Sequence, residues 1–126
     1  MIALEEISAA RDRLAGRVLR TPLVRLDLPE QPGELHLKLE NLQPIGSFKL
    51  RGALNAVLQS DEDELRAGVV TASAGNMGQG VAWAARELGL SCTVVVPDHA
   101  AGETIHPSLV ADRDLVERMV VAESGT

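Results

Sequence analysis

Val69-Val70-Thr71-Ala72-Ser73-Ala74-Gly75-Asn76-Met77-Gly78-Gln79-Gly80 passes from an apolar tetrapeptide into a glycine-rich turn, and residues 81–96 complete the pattern. Val69 to Ala72 reads as a buried strand, Met77 to Leu88 as a helix closed by Gly89, and Cys92 to Val96 as a second buried strand. Strand, helix, strand predicts a right-handed βαβ unit with a parallel strand pair, and hence an α/β fold. In such units ligands collect outside the carboxyl ends of the strands, where Ser73 to Asn76 falls. The same turn opens a helix, whose first N–H groups lack intrahelical acceptors and suit an anion.

A second motif lies upstream, with Lys49 24 residues before Ser73 in Ser47-Phe48-Lys49-Leu50-Arg51-Gly52. Gln43-Pro44-Ile45-Gly46 breaks the preceding element. Ser47 is the expected N-cap of a helix with the apolar stripe Leu50, Ala53, Leu54, Val57 and Leu58, which puts Lys49 in the first turn. A lysine attacks a carbonyl as the free amine, and both a helix N-terminus and an apolar surrounding favour that form. Phe48 and the following leucines are expected to keep Lys49 dry. Most lysines on a first helical turn are merely solvated, so the neighbouring motif has to carry the chemical reading. Together the two motifs offer an amine for a carbonyl and a cradle for a carboxylate, which an amino acid substrate activated by an aldehyde cofactor requires.

The remaining pattern frames these motifs. Leu4, Ile7, Leu14 and Val18 predict an amphipathic helix ending near Gly16, and Thr21-Pro22-Leu23 stops it. Glu34 to Glu40 alternates, with Leu35, Leu37 and Leu39 on one face, and reads as a half-buried strand. Residues 61–64 suit a short acidic helix capped by Ser60. Asp98 to Ser108 reads as a loop, and Leu115, Val116, Met119 and Val120 as a weak helix. A chain of 126 residues has room for one modest domain. Its net charge of −6 and scattered arginines argue against nucleic acid as a partner. No stretch is apolar enough to span a membrane, and no secretory segment is evident. Cys92 is the single cysteine, which fits a core position in a reducing cytoplasm. His36, His99 and His106 lack metal-ligand spacing, so no metal is expected. Trp83, among alanines, reads as helix packing, and Arg51 as the partner of an acid that the sequence does not identify.

Residues Leu37 to Ala53 and Thr71 to Ala82 resemble, in order and separation, the lysine and substrate-binding segments of the threonine/serine dehydratase family. That family shares its fold with serine racemase and cysteine synthase and uses pyridoxal 5'-phosphate. The resemblance implies the N-terminal portion of the tryptophan synthase β-like fold, a three-layer sandwich around a parallel sheet. The resemblance runs from about Arg20 to Pro97, and the domain portion it implies is residues 1–97, divided into a helix and strand over 1–46 and the lysine helix with the βαβ unit over 47–97. Residues 98–126 are expected to be a divergent or disordered tail.

By this resemblance Lys49 would hold the cofactor as a Schiff base and later act as the base on the substrate's α-carbon. Phe48 would line the ring pocket, and Asn76 would hydrogen-bond the phenolic oxygen. Ser73, Ala74 and Gly75 would hold the carboxylate of a small amino acid, L-threonine or L-serine, which would lose its β-hydroxyl to give a 2-oxo acid and ammonia. Ala74 replaces the serine that serves racemases of this group as a second base, which disfavours racemisation. Met77 stands where dehydratases often carry histidine, and Leu50-Arg51-Gly52 lacks the acidic residue expected of cysteine synthases. A second glycine-rich loop for the cofactor's phosphate is missing from the sequence, so weak or absent turnover is expected of this chain alone.

Two other readings compete. Gly75-Asn76-Met77-Gly78-Gln79-Gly80 could mark half of a dinucleotide-binding module for NAD, although its spacing is G-x-x-G-x-G rather than G-x-G-x-x-G. The chain could also be a non-catalytic truncated paralogue, self-associating or pairing with a full-length homologue through an apolar face.

Overall fold

The computed structural model describes residues 2–29, 33–97 and 118–122. Its larger sheet has three parallel strands in the order β3-β4-β5, with β3 at Val69–Ala72, β4 at Cys92–Pro97 and β5 at Arg118–Ala122. Val69 pairs with Cys92 and Ala72 with Val95, the parallel register that strand, helix, strand predicts. The intervening helix α4, Asn76–Leu88, ends at Gly89 with φ 67°, a left-handed conformation that glycine adopts without steric cost. The Leu90 N–H then reaches back to the Ala85 carbonyl and closes the helix end.

Strand β5 corrects the weak helix expected around Leu115, Val116, Met119 and Val120. Met119 pairs with Val94 and Val120 with Val95. Consecutive β-branched residues favour a pleated strand, and the edge of β4 offers them a complete ladder, which outweighs a faint helical period. The expected loop from Asp98 to Ser108, with His99 and His106, lies outside the described residues, as do Leu115 and Val116.

Helix α2, Lys49–Val57, packs on α4, which packs in turn on the sheet. Leu50, Leu54, Val57, Trp83 and Ala84 form one apolar cluster together with Leu14. Ala82, Ala85, Cys92, Val94 and Val96 form the other, between α4 and β4. Leu50 and Leu54 are fully buried, each contributing about 1.5–3 kcal/mol of transfer free energy. Small alanines on both sides of α4 let it sit close to both neighbours. Trp83 is a packing residue and Cys92 a core residue, as expected, and burial pushes the Cys92 thiol up. Helix α3, Glu62–Leu65, is a single turn with Asp61 rather than Ser60 at its N-cap position and no side-chain cap bond, and its acidic residues are exposed while Leu65 packs against the core.

The N-terminal region departs further from expectation. Helix α1 covers Leu4–Leu14, but of its apolar stripe only Leu14 is buried, with Leu4 and Ile7 exposed. Thr21-Pro22-Leu23 does not merely end a helix, because Leu23–Leu26 forms β1, antiparallel to β2 at Leu35–Lys38. The hairpin is not half-buried as the alternation suggests, since Leu35 and Leu37 are both exposed. Alternation specifies two faces but not what covers them. Among the described residues no helix is long and apolar enough to cross a membrane, and no group of His, Cys, Asp and Glu could hold a metal.

Candidate active site

The chain contains two lysines, and the structure separates them chemically. The Lys38 amine donates to the Thr21 carbonyl and lies 4.0 Å from the Glu40 carboxylate. The Lys49 amine has no carboxylate partner among the described residues and sits 5.2 Å from the centre of the Phe48 ring. Helix α2 begins at Lys49 rather than directly after Ser47, and the Lys49 N–H donates to Ser47 Oγ at 3.3 Å. Buried Ser47 thus fixes the turn that presents the amine.

Phe48 corrects one expectation. It is 59% exposed, and Lys49 is only half-buried, so Phe48 does not wall Lys49 off from water among the described residues. The leucines that follow turn inward to α4 instead, because the helical period sends Leu50 and Leu54 to the core and leaves Phe48 outside.

Glycine contacts bring the two motifs together. A Cβ on Gly80 would lie 3.1 Å from Ala53 Cβ and 3.3 Å from the Lys49 carbonyl oxygen. The main chain at Lys49 therefore rests directly on α4, about one turn beyond Asn76. A Cβ on Gly78 would lie 2.9 Å from the Ser73 carbonyl oxygen and 3.1 Å from Val94 Cγ1, so Gly78 lets the turn after β3 fold back over α4. Gly78 and Gly80 are thus engaged in packing, whereas a Cβ on Gly75 would meet nothing within 4 Å.

The turn itself is partly self-satisfied. The Ser73 N–H donates to the Val95 carbonyl at 3.0 Å, extending the ladder, so what Ser73 can offer a carboxylate is its hydroxyl. That hydroxyl accepts from the Gly75 N–H at 3.3 Å. Gly75 is the N-cap of α4 and has no side chain to occupy the first N–H groups of the helix, those of Asn76, Met77 and Gly78. Ala74, Gly75, Asn76 and Met77 are exposed at this point.

The sequence did not identify the partner of Arg51, and the structure shows it to be Glu40. The guanidinium donates to both carboxylate oxygens at 2.8 Å and to the Leu19 carbonyl at 2.8 Å. Those hydrogen bonds, with smaller help from Thr21 and Gln43, hold the Glu40 carboxyl at about 2 against an ordinary 4.5. The same pairing pushes the Arg51 guanidinium further up. A groove of about 790 Å³ lies beside this cluster, lined by α1 residues with Arg20, Lys38 and Arg51. Neither Lys49 nor the Ser73 turn lines it, so it is separate from the candidate site.

The model of the pyridoxal-phosphate dependent enzymes matches residues 14–117. The chain belongs to that family. The match extends past Pro97, where the motif resemblance stops. L-threonine ammonia-lyase of Thermotoga maritima is 47% identical over 102 residues, covering 79% of this chain and 25% of that protein. Serine racemase of Dictyostelium discoideum is 45% identical over 101 residues, covering 79% of this chain and 31% of that protein. The crystal structure of the latter superposes with a TM-score of 0.76 at 35% identity, over 97% of this chain and 39% of that one. The chain thus spans about a quarter to a third of the length of these curated relatives. Its α/β architecture with parallel strands is that of the family.

The residues present fit the family's cofactor at its aldehyde end. The chain supplies an amine without an acidic partner among the described residues, an exposed asparagine and a helix N-terminus, and the Lys49 main chain packs against the helix that carries the last two. That donor set suits a carbonyl flanked by acidic oxygens.

Proposed function

We propose that this chain carries the lysine segment and carboxylate turn of a pyridoxal-phosphate-dependent ammonia-lyase acting on L-threonine or L-serine, releasing a 2-oxo acid and ammonia. The observation that supports the reading is the seating of the Lys49 main chain on Gly80, which sets the first turn of α2 against the helix that the Ser73 turn opens, with the Lys49 amine lacking an acidic partner among the described residues. When bound, pyridoxal phosphate supplies an aldehyde for an amine and a conjugated ring that draws electrons from the α-carbon.

In this reading Lys49 Nζ would hold the aldehyde and would serve as the base that takes the proton of the α-carbon. The Ser73 hydroxyl and the first N–H groups of α4 orient the carboxylate, an arrangement the helix dipole favours. Gly75 and Ala74 would leave room for it, and the Asn76 amide would hydrogen-bond an acidic oxygen on the ring. Phe48 would flank the ring from the solvent side. Ala74 has no side-chain proton to give, which favours dehydration over racemisation, although racemases are among the relatives. The exposed apolar residues of the hairpin and of β3 support association with a second copy or a longer homologue.

The test is to incubate the pure chain with pyridoxal phosphate, reduce with borohydride and map the adduct by mass spectrometry. Label concentrated on Lys49 supports the reading. Label absent, or shared equally with Lys38, removes it.

A further inference from the structure

We infer that Glu40 is a positioning residue for Lys49, acting through Arg51; this rests on the reading of Lys49 as the reactive amine. Helix α2 carries two cations in its first turn, Lys49 and Arg51, and no acid there. Cations at a helix N-terminus oppose the dipole, so the start of this helix is not held by its own charges. The opposing charge comes from outside the helix. Glu40, with its side chain only 15% exposed, takes both prongs of the Arg51 guanidinium.

The Glu40 carboxylate is itself held in place. The Thr21 hydroxyl donates to one of its oxygens, and the Gln43 amide donates to the other at 3.3 Å. Gln43 also donates to the Leu19 carbonyl and accepts from the Leu19 N–H, so residues 19–21 are tied to the turn at 40–43. Thr21 and Gln43 are buried, and no buried side-chain polar atom lacks a partner among the described residues. A satisfied polar cluster of this kind has one low-energy arrangement and fixes the groups bonded to it.

Residues two apart on a helix point about 200° from one another. Arg51 therefore anchors the side of α2 away from Lys49, and the Gly80 contact supports the main chain at Lys49 itself. A bidentate guanidinium at one side and a close helix crossing at the other leave the first turn little freedom to roll. Glu40 sets the aim of the amine without touching it.

The test compares two aldehydes on the wild type, Glu40→Gln, Arg51→Lys and Thr21→Val. Pyridoxal phosphate with borohydride demands orientation, whereas formaldehyde with borohydride reports only accessibility, and both are mapped at Lys49 by mass spectrometry. In Glu40→Gln, pyridoxal phosphate labelling should fall roughly tenfold with formaldehyde labelling unchanged. Arg51→Lys, which keeps the charge but loses the two-pronged bond, should fall similarly. Thr21→Val should fall less and keeps the test informative if Glu40→Gln does not fold. Val96→Ala, which weakens the core away from the cluster, should leave the ratio of the two labels at its wild-type value. A wild-type chain that fails to take pyridoxal phosphate refutes the proposed function. A wild type that takes it beside a Glu40→Gln that takes it equally well, or that loses both labels together, overturns the positioning role alone.

Discussion

Adding one methyl group to Gly80 tests the contact that joins the two motifs. In a helix interior, glycine to alanine is worth about 1 kcal/mol of stability from propensity alone. At Gly80 the new Cβ would stand 3.1 Å from Ala53 Cβ and 3.3 Å from the Lys49 carbonyl oxygen, both on backbone-fixed atoms that cannot rotate away. The helices must part by a few tenths of an ångström, and overpacking of this kind costs about 1–3 kcal/mol. Gly80→Ala should therefore be neutral to destabilising by about 2 kcal/mol. Gly52 supplies the comparison, because it lies within α2 and a Cβ there meets nothing within 4 Å. Gly52→Ala should stabilise by about 0.5–1 kcal/mol. Urea denaturation followed by the fluorescence of Trp83, the single tryptophan, reads both, with about 1 kcal/mol moving the midpoint by roughly 0.5–1 M. Equal stabilisation by the two substitutions would refute the close crossing, and with it the seating of Lys49 on α4.

Acid should weaken the fold in a defined window. The folded pKa of Glu40, about 2, lies below its ordinary 4.5, so its contribution is complete above about pH 4.5 and is lost as pH falls toward 2. After allowance for the partly exposed Arg51 the loss is about 2 kcal/mol, and urea midpoints should show a flatter acid limb in Glu40→Gln. Gly68→Ala should destabilise strongly, by about 2 kcal/mol or more, since φ there is 83° and a Cβ would meet Ser91 Oγ at 2.1 Å; denaturation midpoints check it. Leu54→Ala should cost about 2–5 kcal/mol while Leu37→Ala costs under about 1 kcal/mol, because only the first is buried. Val70 is 73% exposed on an apolar strand, so sedimentation should show concentration-dependent association that Val70→Lys reduces.

What could be read from the sequence follows from how locally each feature is encoded. The unit from β3 to β4 was legible because a buried strand, a helical stripe and a glycine stop succeed one another within thirty residues. Lys49 was legible for the same reason, since Ser47 and the stripe that follows fix its place in the turn. Strand β1 was not, because Leu23-Val24-Arg25-Leu26 is mostly exposed and shows no contrast between two faces. Strand β5 depends on the edge of β4, a partner more than twenty residues away that no local window contains. The exposure of Phe48 and the choice of Glu40 for Arg51 are tertiary facts as well. Many carboxylates were available, and only the fold of residues 40–48 brings that one to α2.

The scarcity of lysine has a practical outcome. With Lys38 and Lys49 the chain's two lysines, amine-directed dyes or crosslinkers have two side chains to choose from beside the α-amino group, and Lys38 is the more exposed of them. With Lys38 replaced by arginine, a fluorophore on Lys49 would report on the first turn of α2 without any engineered cysteine.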